Sequence, residues 1–272
     1  MTTQPAPAVD GSSTGVREVK SAARTVEVLE FLAARQNRPV RLRELSEALG
    51  VPRSSLHALL RTLAKYGWVR ADATGTLYGI GIRALLAGTS YLDSDPYLPL
   101  VSPYLEELRE QLDETFHFGR LDGTDVVYLA TKESTKYLRP YSRVGRRLPA
   151  YSTSLGKVLL AARDGVGRDR HIPAVLARLT PHTLTDRAAL DADLDATRER
   201  GYAVDNEENS LGLRCFSAAL HYGDVPGDAI SASVPIARLD SDREREIVDS
   251  LLQVADRVAR VVGPLHSAGG WV

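Results

Sequence analysis

Two serines, Ser231 and Ser233, stand two positions apart in a run, 229–236, whose intervening residues Ile230, Ala232 and Val234 are apolar. Side chains alternate along an extended chain, so both hydroxyls share one face and could converge on one polar ligand. Cys215 lies in the extended run 214–220, within one hairpin of them. Further upstream, Ser152-Thr153-Ser154 precedes the apolar run LGKVLLA and reads as a capped helix start. The first-turn N–H groups and the positive end of the helix dipole there suit a carboxylate. The chemistry indicated is capture of a small anion. Plainer readings stand beside it: strand serines often face solvent, and a lone cysteine in an apolar strand is often a small core residue.

Catalysis by Cys215 would need a positioned base, and neither His117 nor His221 is placed by the sequence to serve, so no catalytic residue is expected. His117 reads as a half-buried strand histidine that could also line a pocket. Asp205-Asn206-Glu207-Glu208 are four adjacent polar residues, which cannot easily face one ion from an extended strand. A solvated loop with only Asp205 turned inward is expected, with no metal and no cofactor.

The elements that position these groups can be read from pattern. A helix over 98–112 precedes extended runs at 115–121 and 126–132, which flank the turn Asp122-Gly123-Thr124-Asp125. Residues 137–149 read as extended and basic, with Arg139, Arg143, Arg146 and Arg147 on a solvated or subunit-contacting face. An amphipathic helix over 186–200 stops at Gly201, and a strand over 202–205 follows. Ser241 with Glu244 forms a capping box for a last helix that Gly263-Pro264 ends. Strands and helices mixed without βαβ alternation indicate an α+β domain.

The first third of the chain has a different character. Leu42, Leu45 and Leu49 recur at helical spacing, Gly50 suits a C-cap, and Pro52 suits the first position of a second helix. That helix buries Leu56, Leu59, Leu60 and Leu63, and turns Arg53, Ser54, His57, Ala58 and Arg61 outward. An ordinary helical hairpin and a DNA reader fit this stretch equally well. Its context favours the reader. A helix over 21–36 precedes it, and extended runs at 68–71 and 76–80 around Asp72-Ala73-Thr74-Gly75 follow as a hairpin. Residues 17–82 carry eleven Lys and Arg against six Asp and Glu, +5 in a chain whose net charge is −1. A basic module joined to an acidic one is the footprint of docking on phosphate. A protein-interaction module built on the same fold is the alternative, and its binding would lack a steep salt dependence.

With a single cysteine there is no disulfide framework. Residues 1–16 are rich in Pro, Ser, Thr and Gly, with no apolar core of the kind a signal peptide needs, and read as a disordered tail. No apolar run approaches the ~18 residues of a membrane span. A cytoplasmic protein with no membrane partner is expected.

In order, the stretches LRELSEALGVPRSSLHALLRTL, LDGTDVVYL, SRVGRRLPAYSTSLGKVLLA, TLTD, RERGYAVDNEEN and LGLRCFSAAL make the chain resemble the IclR family of bacterial transcriptional regulators, from about residue 19 to 263. The resemblance implies a winged helix-turn-helix over 17–81, a linker helix over 82–97, a GAF-like effector-binding domain over 98–266, and a tail from 267. It implies a homodimer or homotetramer on double-stranded operator DNA, with recognition helices roughly 34 Å apart. Arg53, Ser54, Ser55, His57 and Arg61 would enter the major groove, and Arg41 and Arg43 would add phosphate contacts. It places effector contacts at the N–H groups of Ser154 and Leu155 and at Asp205, Cys215, Ser231 and Ser233, with Tyr137, Leu148 and Leu213 as the apolar wall. Ser154-Leu155 is bulkier than the Gly-Ala of some members, and Tyr151 stands where His is common. Family habit implies a repressor of a catabolic operon released by a small organic acid, with an activator of the same architecture as the alternative.

Overall fold

Leu45, Leu56, Leu60 and Leu63, spaced to share one side of two short helices, meet Val28, Leu32, Val40, Val69 and Tyr78 in a closed apolar cluster. Full burial of such a side chain contributes about 1.5–3 kcal/mol. The computed structural model describes residues 18–35 and 38–267, and the chain divides into two compact units between Ser94 and Asp95. The first holds α1 (Lys20–Ala34), β1 (Val40–Arg41), α2 (Leu42–Leu49), α3 (Arg53–Lys65), β2 (Val69–Ala71), β3 (Leu77–Ile80) and α4 (Ile82–Ser94).

Gly50 ends α2 in the left-handed region at φ 63°, as the sequence indicates. Ser46 Oγ donates to the carbonyl of Val51 at 2.7 Å and fixes the turn. Pro52 sits one place earlier than its pattern suggests. It is the N-cap of α3, its carbonyl accepting the first helical bond from Leu56 N–H at 3.0 Å. The hairpin is also wider than expected, because the two-residue β1 adds to it antiparallel and gives the order β1-β3-β2. The Asp72 carboxylate holds the wing tip, accepting N–H from Thr76 at 2.7 Å and Leu77 at 2.8 Å.

The second unit is built on α5 (Leu98–Leu112), β4 (Thr115–Asp122), β5 (Asp125–Lys132), β6 (Arg147–Pro149), α6 (Ser154–Ala161), α7 (Gly165–Asp169), α8 (Arg187–Arg200), β7 (Ala203–Asn206), β8 (Leu213–Ala219), β9 (Asp228–Pro235) and α9 (Ser241–Ser267). Its sheet runs β6-β5-β4-β9-β8-β7, antiparallel throughout. Alternation divides the strands between two jobs. Phe116, Phe118, Phe216, Ile230, Ala232 and Val234 point to the side packed by α5 and α9. His117, Cys215, Ser217, Ser231 and Ser233 point to the side where α6 lies.

Three expectations need correction here. Of the extended basic segment 137–149, only Arg147–Pro149 is a strand. Asp240, not Ser241, caps α9, its Oδ1 accepting from Arg243 N–H at 2.8 Å. That helix also runs through Gly263-Pro264 to Ser267, because a proline so near the end removes a bond that few later residues depend on. The tails expected over 1–16 and beyond Ser267 lie outside the described residues.

At one end of the sheet, Arg120 on β4 grips Asp228 on β9 through two bonds of 2.7 Å, and Asp95 through Nη1 at 2.5 Å. Asp95 Oδ1 in turn accepts from the N–H groups of Tyr97 and Leu98 at the start of α5, at 2.9 and 2.8 Å.

Candidate functional site: a sensor cavity and a DNA-reading helix

The polar side of the large sheet is organised in rows. Cross-strand register aligns Thr115, Ser233, Cys215 and Asp205 in one row, and Thr131, His117, Ser231 and Ser217 in the next. A register shift in β5 beside Phe118 and Gly119 brings Tyr128 opposite Gly119, on this same side. Its ring lies 4.7 Å from that of His117. A bulge beside a site commonly re-aims a side chain in this way.

Across from the rows lies the first turn of α6. Thr153 caps it, its Oγ1 accepting from Gly156 N–H at 3.1 Å. Among the described residues the N–H groups of Ser154 and Leu155 meet no protein acceptor, although both residues are buried. Ser154 Oγ and Ser217 Oγ are 2.7 Å apart, which ties the helix start to β8. Gly156 makes the approach possible: a Cβ there would lie 2.1 Å from the carbonyl oxygen of Ala150.

These elements enclose a cavity of about 30 Å³, room for two or three waters when each needs ~10–15 Å³. Eight of the nine residues anticipated for an effector line it: Leu148, Ser154, Leu155, Asp205, Leu213, Cys215, Ser231 and Ser233. Tyr137 does not, and this is a correction: its side chain is fully exposed. Its neighbours are tied inward, Lys136 Nζ to Asp113 O at 2.9 Å and Leu138 O to Arg238 Nη1 at 2.5 Å. The bend that closes those bonds turns the Tyr137 ring outward. Tyr151 is buried and donates to the carbonyl of Ala177 at 2.7 Å.

Eight further lining residues were not anticipated as contacts. Tyr128, Ser142 and Asn209 carried no distinguishing signal. Arg146 was one of four arginines read as a surface face, and only it turns into the cavity. His117 does line it, but buried rather than half-buried, with Nδ1 3.0 Å from Thr131 Oγ1.

The electrostatics follow from burial. Burial, with the positive charge of Arg146 nearby, pushes His117 down to about 3, so the ring is neutral. Burial pushes the Cys215 thiol up, and its Sγ donates to Ser233 Oγ at 3.2 Å. A thiol held protonated in this way is a packing and contact group rather than a nucleophile. Asp205 is raised to about 7, first by burial and then by the nearby Glu208 carboxylate; N–H bonds from Glu208 at 2.7 Å and Asn209 at 3.3 Å offset part of this.

Glu208 corrects the picture of a solvated loop. It is buried, and its Oε1 accepts from Lys157 Nζ at 2.6 Å, while Lys157 also reaches Asp193 at 2.8 Å. A lysine inside the apolar run LGKVLLA was the available signal, since a charge on a helix buried all round needs a partner. No cluster of three His, Cys, Asp or Glu among the described residues is placed to hold a metal.

In the first unit, Arg53, Ser54, Ser55, His57 and Arg61 are all exposed on α3, opposite the buried Leu56, Leu60 and Leu63. No side chain caps α3, so its first N–H groups remain available to an anion such as phosphate. Arg41 is exposed at the start of α2. Arg43 is engaged with Glu47 at 2.7 Å, an exposed pair of the kind worth only ~0–1 kcal/mol and readily exchanged for phosphate.

The model for the IclR helix-turn-helix domain matches residues 21–73, and that for the bacterial transcriptional regulator IclR C-terminal domain matches residues 89–260. This chain belongs to the IclR family. The transcriptional repressor IclR of Escherichia coli is 34% identical over 92% of both chains. The acetate operon repressor of Salmonella typhimurium is 31% identical over 90% of this chain and 91% of its own. Among solved structures, a Rhodococcus transcriptional regulator superposes with a TM-score of 0.73 at 30% identity, covering 91% of this chain and all of that one. This IclR regulator is therefore an α+β transcriptional regulator whose helix-turn-helix unit binds DNA. Its relatives are regulators rather than enzymes, and no described helix is long and apolar enough to cross a membrane.

Proposed function

We propose that this regulator is a cytoplasmic repressor, a homodimer or homotetramer on operator DNA, whose affinity for DNA is set by a small carboxylate in the cavity of the second unit. Residues 17–81 serve as the DNA reader, 82–97 as the linker and 98–266 as the sensor. The observation that carries the reading is the pair of buried, unaccepted N–H groups of Ser154 and Leu155, facing a row of hydroxyl, thiol and carboxyl groups across one cavity. A carboxylate satisfies both donors at once. Its other polar atoms meet Ser231, Ser233, Cys215 and a protonated Asp205, with Leu148 and Leu213 as the apolar wall. The repressors among the relatives support the sign of regulation.

On the DNA side, Arg53, Ser54, Ser55, His57 and Arg61 read the major groove, while Arg41 and Arg43 contact phosphates. The effector acts by binding one DNA-binding state more tightly than the other, and a coupling of ~1–3 kcal/mol changes operator affinity about 5- to 150-fold. The test is a gel-shift titration on the protein's own upstream region at low salt, repeated across a panel of small carboxylates. Retardation that one acid relieves, and that Ser233→Ala makes insensitive to the acid, is the expected result. No retardation of any upstream fragment, or retardation indifferent to every acid and to Ser233→Ala, overturns the reading.

A further inference from the structure

The cavity has a second set of donors without an anionic partner, on a different element from α6. Ser142 is buried to 7% exposure, lines the cavity, and its Oγ has no hydrogen-bond partner. Arg146, four residues on, also lines it. Its guanidinium donates to the carbonyl of Tyr141 at 2.8 Å and meets no carboxylate among the described residues. The charge is directed inward, since it is felt at His117, Tyr128 and Cys215 on three different strands. Asp205, the acid of the cavity, is engaged instead by the N–H groups of its own loop.

The two donor sets stand on different walls of the one cavity. Tyr128 N–H donates to Arg146 O at 2.9 Å and Gly145 N–H to Tyr128 O at 2.8 Å, so Arg146 runs along the outer side of β5, at the position β6 takes up. The first turn of α6 is tied to Ser217 on β8. Leu155 also reaches β4, where its Cδ1 lies 3.0 Å from the position a Cβ would take at Gly119, so the first turn of α6 lies over the middle of the sheet while Arg146 stands at its β6 edge. A carboxylate held by the α6 N–H groups leaves the Arg146 charge and the Ser142 hydroxyl to a second acceptor, and a short chain with an acid at each end supplies both.

We infer that the effector is a dianion, a short dicarboxylate with one carboxylate on the N–H groups of Ser154 and Leu155 and the other on Arg146 and Ser142. The inference rests on the sensor reading above and specifies the ligand class of that cavity. Arg146 is the residue that selects diacids over monoacids, because a guanidinium meets a carboxylate with two parallel charge-assisted bonds. The cavity as it stands admits only water, so the segment bearing Ser142 and Arg146 lifts to admit the ligand and closes on its far end.

The test is calorimetric titration of the full chain with matched pairs: succinate against butyrate, glutarate against pentanoate, adipate against hexanoate. At least one diacid is expected to bind tenfold or more tightly than its partner. Arg146→Gln should abolish that ratio while leaving monoacid affinity within about twofold. Ser142→Ala, a smaller change checked by an unaltered thermal transition, should reduce the ratio part of the way and guards against misfolding of the arginine variant. Equal affinity for diacids and monoacids, or a loss on Arg146→Gln shared by both, overturns the second acid site and leaves the sensor reading standing. If no member of either series binds, both fall together.

Discussion

Asp205→Asn offers a direct test of the cavity's electrostatics. Asp205 Oδ1 accepts two backbone N–H bonds, and an asparagine carbonyl in the same place accepts both. The substitution therefore removes a buried charge while keeping the loop's bonds. Burial and the Glu208 carboxylate raise the folded-state value to about 7, against 3.8 for an ordinary aspartate. Between those limits the native state holds a proton that the unfolded chain has released, so the parent loses stability as pH rises through that window. The loss is roughly 4 kcal/mol, at ~1.4 kcal/mol for each of about three pH units. In a unit of this size each kcal/mol moves Tm by about 2–4 °C. The variant's advantage in Tm should therefore grow between pH 4 and pH 8 by about 8–16 °C and then level off. Thermal unfolding of both proteins, followed by circular dichroism across that range, measures the difference, and groups unaffected by the change cancel. A gap that is constant with pH, or one that widens towards acid, would show that Asp205 is not an uncompensated buried acid.

Lys157→Met should destabilise the second unit by ~3–5 kcal/mol in denaturant titration, because it leaves the buried Glu208 carboxylate without its cation; adding Glu208→Gln should restore most of the loss. Gly156→Ala forces a Cβ into the backbone of Ala150, and a cost of ~1–3 kcal/mol with loss of acid binding is expected, read by calorimetry and thermal melting. Arg53→Ala and Arg61→Ala, both on exposed positions, should leave Tm within about 1–2 °C yet weaken operator binding, and any phosphate contact among them should lower the salt slope by about 1 in gel-shift or anisotropy titrations. A full salt slope in both variants would remove these arginines from the phosphate contacts.

The first unit was legible because its signals are local. Gly50, the leucine spacing and the Asp72–Gly75 turn each specify backbone within a few residues, and the structure follows them closely. What pattern missed there, β1, is two residues long and exists only because β3 supplies its partner. In the second unit the strand faces were legible from alternation, which is why Ser231, Ser233 and Cys215 fall together. The roof was not. Whether Tyr137 or Arg146 turns inward depends on bonds to Asp113, Arg238 and Tyr128, remote in sequence and set by tertiary packing. Glu208 was misjudged for the same reason, since its cation lies 51 residues upstream.

The division of the strands by parity has a consequence for how such a protein changes over generations. In β9, positions 229, 231 and 233 look towards the ligand side, while 230, 232 and 234 belong to the packing against α5 and α9. Substitution at the odd positions alters what is sensed without reopening the even-numbered core that keeps the domain folded. Lineages can thus diverge in diet while inheriting one scaffold. The tolerance ends at insertions: one extra residue in β9 would exchange the two sets and spoil both at once.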